Sequence, residues 1–455
     1  MMLRPLLVAS MLTTLGVAQG AGERQLTHRP QGHVLTNVSV WSPDGQWIVY
    51  DVRTGDQFNG AWIEQVHVST GEVRRLYAAQ AGAQCGVVTY HPREARVAFI
   101  LGPEHPTDEW NYAISRRRGV AVAVTEPGVA RSLDAMNYAP PFTPGALRGG
   151  SHVHVFSPDG AWLSFTYDDE VLAQLDRTTD APPHEPNQRN VGVMVPGGPV
   201  RVAASHPRNH DGELFSVVVT RTTAAPRAGS DEINRACEEG WVGVAGYTRA
   251  DGSRQERALA FQGTVIAPTG SSHAEVFVVD LPATLTEPGD GLLEGTATTR
   301  PAPPRGVQQR RLTFTSERRF PGIAALPRHW LRSSPDGTRI AFLMKDDAGV
   351  VQFWTVSPNG GEPRQLTHNA TDISSAFTWN AAGTHLAHTM DGSVCVTDAG
   401  RGETTRLTAR RVGPGAPLPL ACVFSPDGRQ IAFTREVPRD GAAESFPQIF
   451  TVDVP

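Results

Sequence analysis

A seven-bladed, all-β propeller of four-stranded blades is the fold that this 455-residue sequence predicts, on three observations. A turn phrase, aromatic-Ser-Pro-Asp-Gly, recurs along the chain. Each copy is followed by β-rich runs, the last of them a short element ending in Leu-Thr. One spare copy of that short element stands near the N-terminus, and the final unit lacks one.

The turn phrase occupies Trp41 to Gly45, Phe156 to Gly160 and Phe424 to Gly428, and Ser333 to Gly337 keeps Ser-Pro-Asp-Gly behind a serine. Looser copies begin at Tyr90, Ser205 and Trp379. Pro presets φ for a reversal and Asp-Gly supplies the residue that reaches positive φ. Behind the turns come runs such as Trp47-Ile48-Val49-Tyr50 and Ile431-Ala432-Phe433-Thr434, then a third run such as Val351 to Val356, then Gln365-Leu366-Thr367 or its equivalents. Four strands make one propeller blade. The seven anchors, Trp41, Tyr90, Phe156, Ser205, Ser333, Trp379 and Phe424, give seven WD-like repeats; the copy at Ser205 is weak, so six blades is the alternative. The long gap from Ser205 to Ser333 predicts an insertion at about residues 222–308. Within it, Ser230 to Gly240 has an N-cap serine and early acids, and predicts a helix. Asp168 to Asn190 and Glu287 to Arg305 read as loops.

The ends predict closure. Arg24-Gln25-Leu26-Thr27 is a fourth-strand phrase with no blade before it, and the last blade runs out after Gln448 to Val454. The N-terminal strand is therefore expected to complete the final blade and remove an open edge. Ahead of it, residues 1–20 read as a signal peptide: Arg4, an apolar stretch from Leu6 to Val17, and Ala18-Gln19-Gly20 as a cleavage site. The expected product is one propeller domain, 21–455, periplasmic or secreted, monomeric and not membrane-spanning. A net charge of −5 without a long basic run argues against nucleic acid, and Arg116-Arg117-Arg118 reads as a solvated strand edge. The four cysteines show no disulfide framework spacing, and Cys395 and Cys422 lie in apolar runs as small buried hydrophobes.

Inner strands line a propeller's channel, so positions at one offset from each turn converge. Six residues before the turn proline, or its equivalent, stand Asn37, Gly86, His152, Arg201, His329, Ser375 and Leu420. Strand alternation would put His154 on the same side as His152. His152, His154 and His329, with His33 as a fourth member, are candidate ligands for one divalent metal ion. The competing reading makes them hydrogen-bonded core residues. Asn37, Arg201, Arg328 and Ser375 are candidates for ligand binding, and Arg148, Glu238 and Glu239 for acid–base work. No G-x-S-x-G elbow, phosphate loop or dinucleotide fingerprint is present.

The Ser-Pro-Asp-Gly repeat resembles TolB-like propellers. The longer phrases RGGSHVHVFSPDG, GSDEINRACEEGWVG and PAPPRGVQQRRLTFT resemble the bacterial YidR family. His152-Val153-His154 ahead of Pro158-Asp159 is similar to the His-x-His of oligogalacturonate lyases, propellers that hold a divalent metal, though displaced by one residue. Two functions are thus expected. One is a periplasmic scaffold binding a ligand or protein at its channel mouth. The other is a metal-dependent, lyase- or hydrolase-like enzyme on an anionic carbohydrate.

Overall fold

The structure, a computed structural model, describes residues 22–53, 59–178, 184–438 and 444–455. The signal-peptide segment lies outside them. Seven antiparallel four-stranded sheets follow one another around a ring, six of them ordered from inner to outer strand along the chain. Blade one holds Gly32–Val34, Trp47–Arg53, Trp62–His67 and Val73–Ala78, and blade two Cys85–Tyr90, Arg96–Leu101, Arg118–Ala123 and Arg131–Ser132. Blade three holds Gly149–Phe156, Leu163–Asp169, Asn190–Val195 and Phe215–Val218. Blade four holds Ala236–Trp241, Arg257–Ile266, Ser272–Leu281 and Gln308–Arg311. Blades five and six begin at Arg332–Ser333 and Thr378–Trp379. Blade seven, Pro417–Phe424, Gln430–Pro438 and Ser445–Asp453, takes its fourth strand from Glu23–Gln25, which pairs antiparallel with register Glu23 to Val452 and Gln25 to Phe450. The predicted closure is present.

The turn phrase folds one way each time. In Ser157-Pro158-Asp159-Gly160 the serine hydroxyl donates to the Asp159 carboxylate at 2.5 Å, Gly160 N donates to Ser157 O at 2.8 Å, and Trp162 N donates to Ser157 Oγ at 3.0 Å. Gly160 has φ +79°, which favours glycine. Ser42, Ser334 and Ser425 repeat the serine–aspartate contact. In blade two His91 does the serine's work, its Nδ1 accepting from Arg93 N and Glu94 N. Between blades, apolar side chains interlock: Val191 and Val193 of blade three pack with Leu259 and Phe261 of blade four. All four cysteines are buried and free.

Five expectations fail here. The fourth anchor is Trp241. Ser205 sits in the connection between the third and fourth strands of blade three. Blade four lacks the turn phrase because a small hairpin, Tyr247–Thr248 with Arg254–Gln255, is inserted after its inner strand. Residues 222–308 are accordingly no insertion: they carry blade four's three inner strands. The helix expected at Ser230 to Gly240 is absent, since Ala236–Trp241 pairs with the second strand and Ile233 and Ala236 enter the core. Burial and pairing override a local propensity worth only tenths of a kcal/mol per residue, ~0.5. The one α-helix among the described residues, α1 at Glu170–Thr178, forms where a loop was expected; Asp169 caps it by accepting from Leu172 N at 2.9 Å. Finally, Arg116 to Arg118 is no solvated edge. Arg116 pairs with buried Glu170 at 2.9 Å, Arg117 is buried, and the strand that starts at Arg118 lies between two others.

Candidate functional site: the channel mouth

Inner strands enter at one face of the ring and leave at the other through the Ser-Pro-Asp-Gly turns. In blades two, three and four each inner strand carries a bulge at the same place, between Gly86 and Thr89, His152 and Val155, and Cys237 and Gly240. Val87, Val153 and Glu238 there have φ of +57°, +57° and +52°. For non-glycine residues that conformation costs ~1–3 kcal/mol each. The repeated bulge sets the register of the site and makes Cys237, not Arg201, the blade-four counterpart of His152.

The bulge also breaks strand alternation, so His152 and His154 part company. His154 turns into the seam with blade two, where its Nε2 donates to Ser151 Oγ (2.9 Å) and Ser151 donates to Asp134 Oδ2 (2.5 Å). The serine proton is committed to the aspartate, so this buried trio is no relay to a nucleophile. His152 remains at the entry face. There its Nδ1 is buried without a partner. Burial, followed by the charges of Arg117, Arg328 and Arg189 and by the His154 ring, holds its imidazole well below the usual histidine range.

Those arginines arrive from separate elements. Arg117 precedes the third strand of blade two, and its carbonyl accepts from Ser151 N at 3.2 Å. Arg189 precedes the third strand of blade three and pairs with Asp168 at 3.0 Å. Arg328 leads into blade five and pairs with Glu238 at 2.9 Å. Arg53, at the end of blade one's second strand, adds a further pair with Asp51 at 2.5 Å. Behind them Val38, Val87, Val153, Val155, Trp241 and Trp330 form one apolar cluster drawn from five blades. Guanidinium groups over an apolar floor suit a planar anionic group such as a carboxylate.

The remaining candidates divide. His329 has both nitrogens engaged by backbone: Leu343 N donates to Nε2 (3.1 Å) and Nδ1 donates to Pro327 O (2.8 Å), leaving no lone pair for a metal. His33 lies in the seam of blades one and seven, bonded to Gln448 Oε1 at 3.0 Å. Among the described residues no three His, Cys, Asp or Glu side chains stand where one ion could be held, so His33, His152, His154 and His329 do not assemble as a metal site. Asn37 lies in the channel and accepts from Arg332. Glu239 is buried near Arg332 and receives a hydrogen bond from Thr166 (2.9 Å); burial pushes its carboxyl up to about 7. Ser375 donates to Ala376 O and accepts from Thr389 N, both local backbone bonds. Arg148 is consumed by structure, donating to Asp169 (2.7 Å) and to carbonyls of Thr296 and Thr299. Arg201 is exposed on the blade-three excursion and paired with Asp211 at 2.6 Å. Leu420 is also exposed. Cys237 holds the ring position instead, but burial drives its thiol up to about 12, and Arg235 Nε donates to its sulfur at 3.3 Å.

Arg117 and Arg189 are the site residues that sequence reasoning missed. Both sit outside the inner strands, so no offset from a turn could find them. The triple arginine was a signal, and one read as surface charge.

Comparison with known proteins gives a consistent picture. Residues 84–210 match a family described as protein of unknown function, DUF3748. Solved structures of similar shape include oligogalacturonate lyase from Vibrio parahaemolyticus, with TM-score 0.56, 10% identity, and coverage of 97% of this chain and 96% of that one. An oligogalacturonate lyase in complex with manganese scores 0.55 at 13% identity, with coverage of 97% and 96%. Likeness at such identity shows the propeller fold alone. Over 419 residues the chain is 49% identical to the uncharacterized protein YidR of Escherichia coli strain K12, covering 91% of this chain and 95% of that protein. On identity of that extent, the chain belongs to the YidR family.

Proposed function

We propose that this propeller is a binding scaffold rather than a catalyst, and that its channel mouth takes a ligand bearing a carboxylate or similar anion. The observation that carries this reading is the set of Arg117, Arg189 and Arg328 around His152, whose buried Nδ1 has no partner. A buried nitrogen without a hydrogen bond costs ~1–3 kcal/mol, which a ligand's donor or acceptor recovers. The leader read at residues 1–20 supports action in the periplasm or outside the cell.

Calorimetric titration with trigalacturonate, a carboxylated sugar, and with maltotriose as its neutral counterpart tests the proposal. The anionic sugar is expected to bind and to be recovered uncleaved, and salt is expected to weaken it. Arg117→Gln and Arg189→Gln should each lower affinity by about tenfold, in line with loss of one charged hydrogen bond. Equal binding of both sugars, failure of trigalacturonate, citrate and phosphate alike to bind, or cleavage of the sugar overturns it.

A further inference from the structure

A second feature lies beyond the mouth. Between blades four and five, on the same face, a groove of about 790 Å³ runs outward from Arg328 and Glu238. That volume is in the range of ligand-binding clefts, ~300–1,000 Å³. Arg235, Arg319, Arg328 and Lys345 line it, and Glu238 is its one carboxylate. At the mouth each of Arg53, Arg189 and Arg328 has a carboxylate partner. In the groove Arg319 and Lys345 pair with none among the described residues. Arg319 reaches the carbonyl of Asp347 at 3.4 Å and lies over the Phe320 ring at 5.3 Å, and Lys345 lies over the same ring at 5.6 Å. Arg235, by contrast, bonds the Cys237 sulfur and is balanced by the charges of Glu238 and Asp168. Beside these charges Leu326 is 77% exposed, more than any other large apolar side chain described.

We propose that this groove docks an extended acidic segment of a partner protein, one that carries apolar side chains between its carboxylates. The unmatched cations call for a polyanion, and Leu326 calls for an apolar contact. A saccharide fits less well. Phe320 is engaged by Arg319 and Lys345, and Trp330 is buried beneath Arg328 at 4.6 Å, so neither offers an open aromatic face to a sugar ring. Short acidic motifs bound by arginine clusters are a recurrent mode of peptide recognition.

The groove shares Arg328 and Glu238 with the mouth, but the test turns on Arg319 and Lys345, which take no part in the mouth. The test is fluorescence anisotropy of a labelled peptide of alternating glutamate and leucine, titrated with the whole chain. Binding is expected at low salt, and Arg319→Glu with Lys345→Glu should weaken it by about tenfold or more, as expected for two reversed contacts in a charge-steered interface. Both side chains are exposed, so the double variant should melt with the wild type. A lysine–leucine peptide should bind the double variant and not the wild type. Arg117→Gln should leave peptide binding unchanged. No binding at about 1 mM peptide, a Kd weaker than any useful contact, overturns the proposal. So does binding indifferent to the charge reversal.

Discussion

Arg332, on the inner strand of blade five, donates a hydrogen bond to Asn37 of blade one across the channel, with blades six and seven lying between them around the ring. Both side chains are buried, and burial lowers the Arg332 guanidinium to about 10 while nearby Glu239 opposes that shift. Asn37→Ala should therefore destabilise the fold by ~1–3 kcal/mol, the cost of a buried donor left unsatisfied. Urea denaturation reads it directly. A midpoint equal to that of the wild type would show that water replaces the asparagine at no cost.

Trp241 is the second case. Its indole N–H donates to Val155 O of the preceding blade at 3.0 Å, as Trp41 does to Val423 O and Trp379 to Arg332 O. Trp241→Phe should cost ~1 kcal/mol for the lost bond, and Trp241→Ala ~3–5 kcal/mol for the cavity as well. Equal losses for the two variants would assign the whole effect to the hydrogen bond and none to packing.

Closure gives the third. Deleting residues 24–28 removes the pairing to Phe450 and Thr451 and the buried Leu26, whose burial alone accounts for ~1.5–3 kcal/mol. A clear drop in Tm is expected by calorimetry. An unchanged Tm would reduce the strand to decoration.

Acid should destabilise the protein. Burial holds His33, His329 and His388 at about 4 and His154 at about 3. The unfolded chain takes up those protons first, so the stability they carry is present above the ordinary histidine value and is lost as the pH falls from ~6.5 toward the folded values. Glu239, raised to about 7, works the other way: its contribution is full below its unfolded value and is lost as the pH rises through 7. The histidines outnumber it, so Tm should fall between about pH 6.5 and 4, and Glu239→Gln should steepen that fall. A flat profile in the variant contradicts the assignment.

Export is the fifth. Protein recovered from a bacterial periplasm should begin near Ala21, as N-terminal sequencing would show. Full-length chain confined to the cytosol would remove the leader from the account.

How much of this was legible follows from where each signal is written. Ser42, Ser157, Ser334 and Ser425 close their turns with their own aspartates, a local bond between neighbours, so the blades they head are visible in the sequence. Blade four is invisible because Trp241 is followed by a hairpin instead of a turn. Its count survived only because Ser205-His206-Pro207 imitates the phrase from a loop. The ring position of His152 was legible, since the turn fixes it. The company of His152 was not: Val153 takes a left-handed conformation that no residue preference announces, and it sends His154 into the seam. Arg117 and Arg189 come from connections whose paths are set by tertiary packing, which spacing does not encode.

The strand Glu23–Gln25 is made first and paired last. Synthesis delivers it before any of its neighbours, and Val452 emerges only after the six other blades. Until then two unsatisfied sheet edges, one on blade seven and one on this strand, stay open to other chains. The ring is therefore a check on translation through the seventh blade: a chain cut before Phe450 keeps both edges exposed, and only one that runs on to Val452 can retire them.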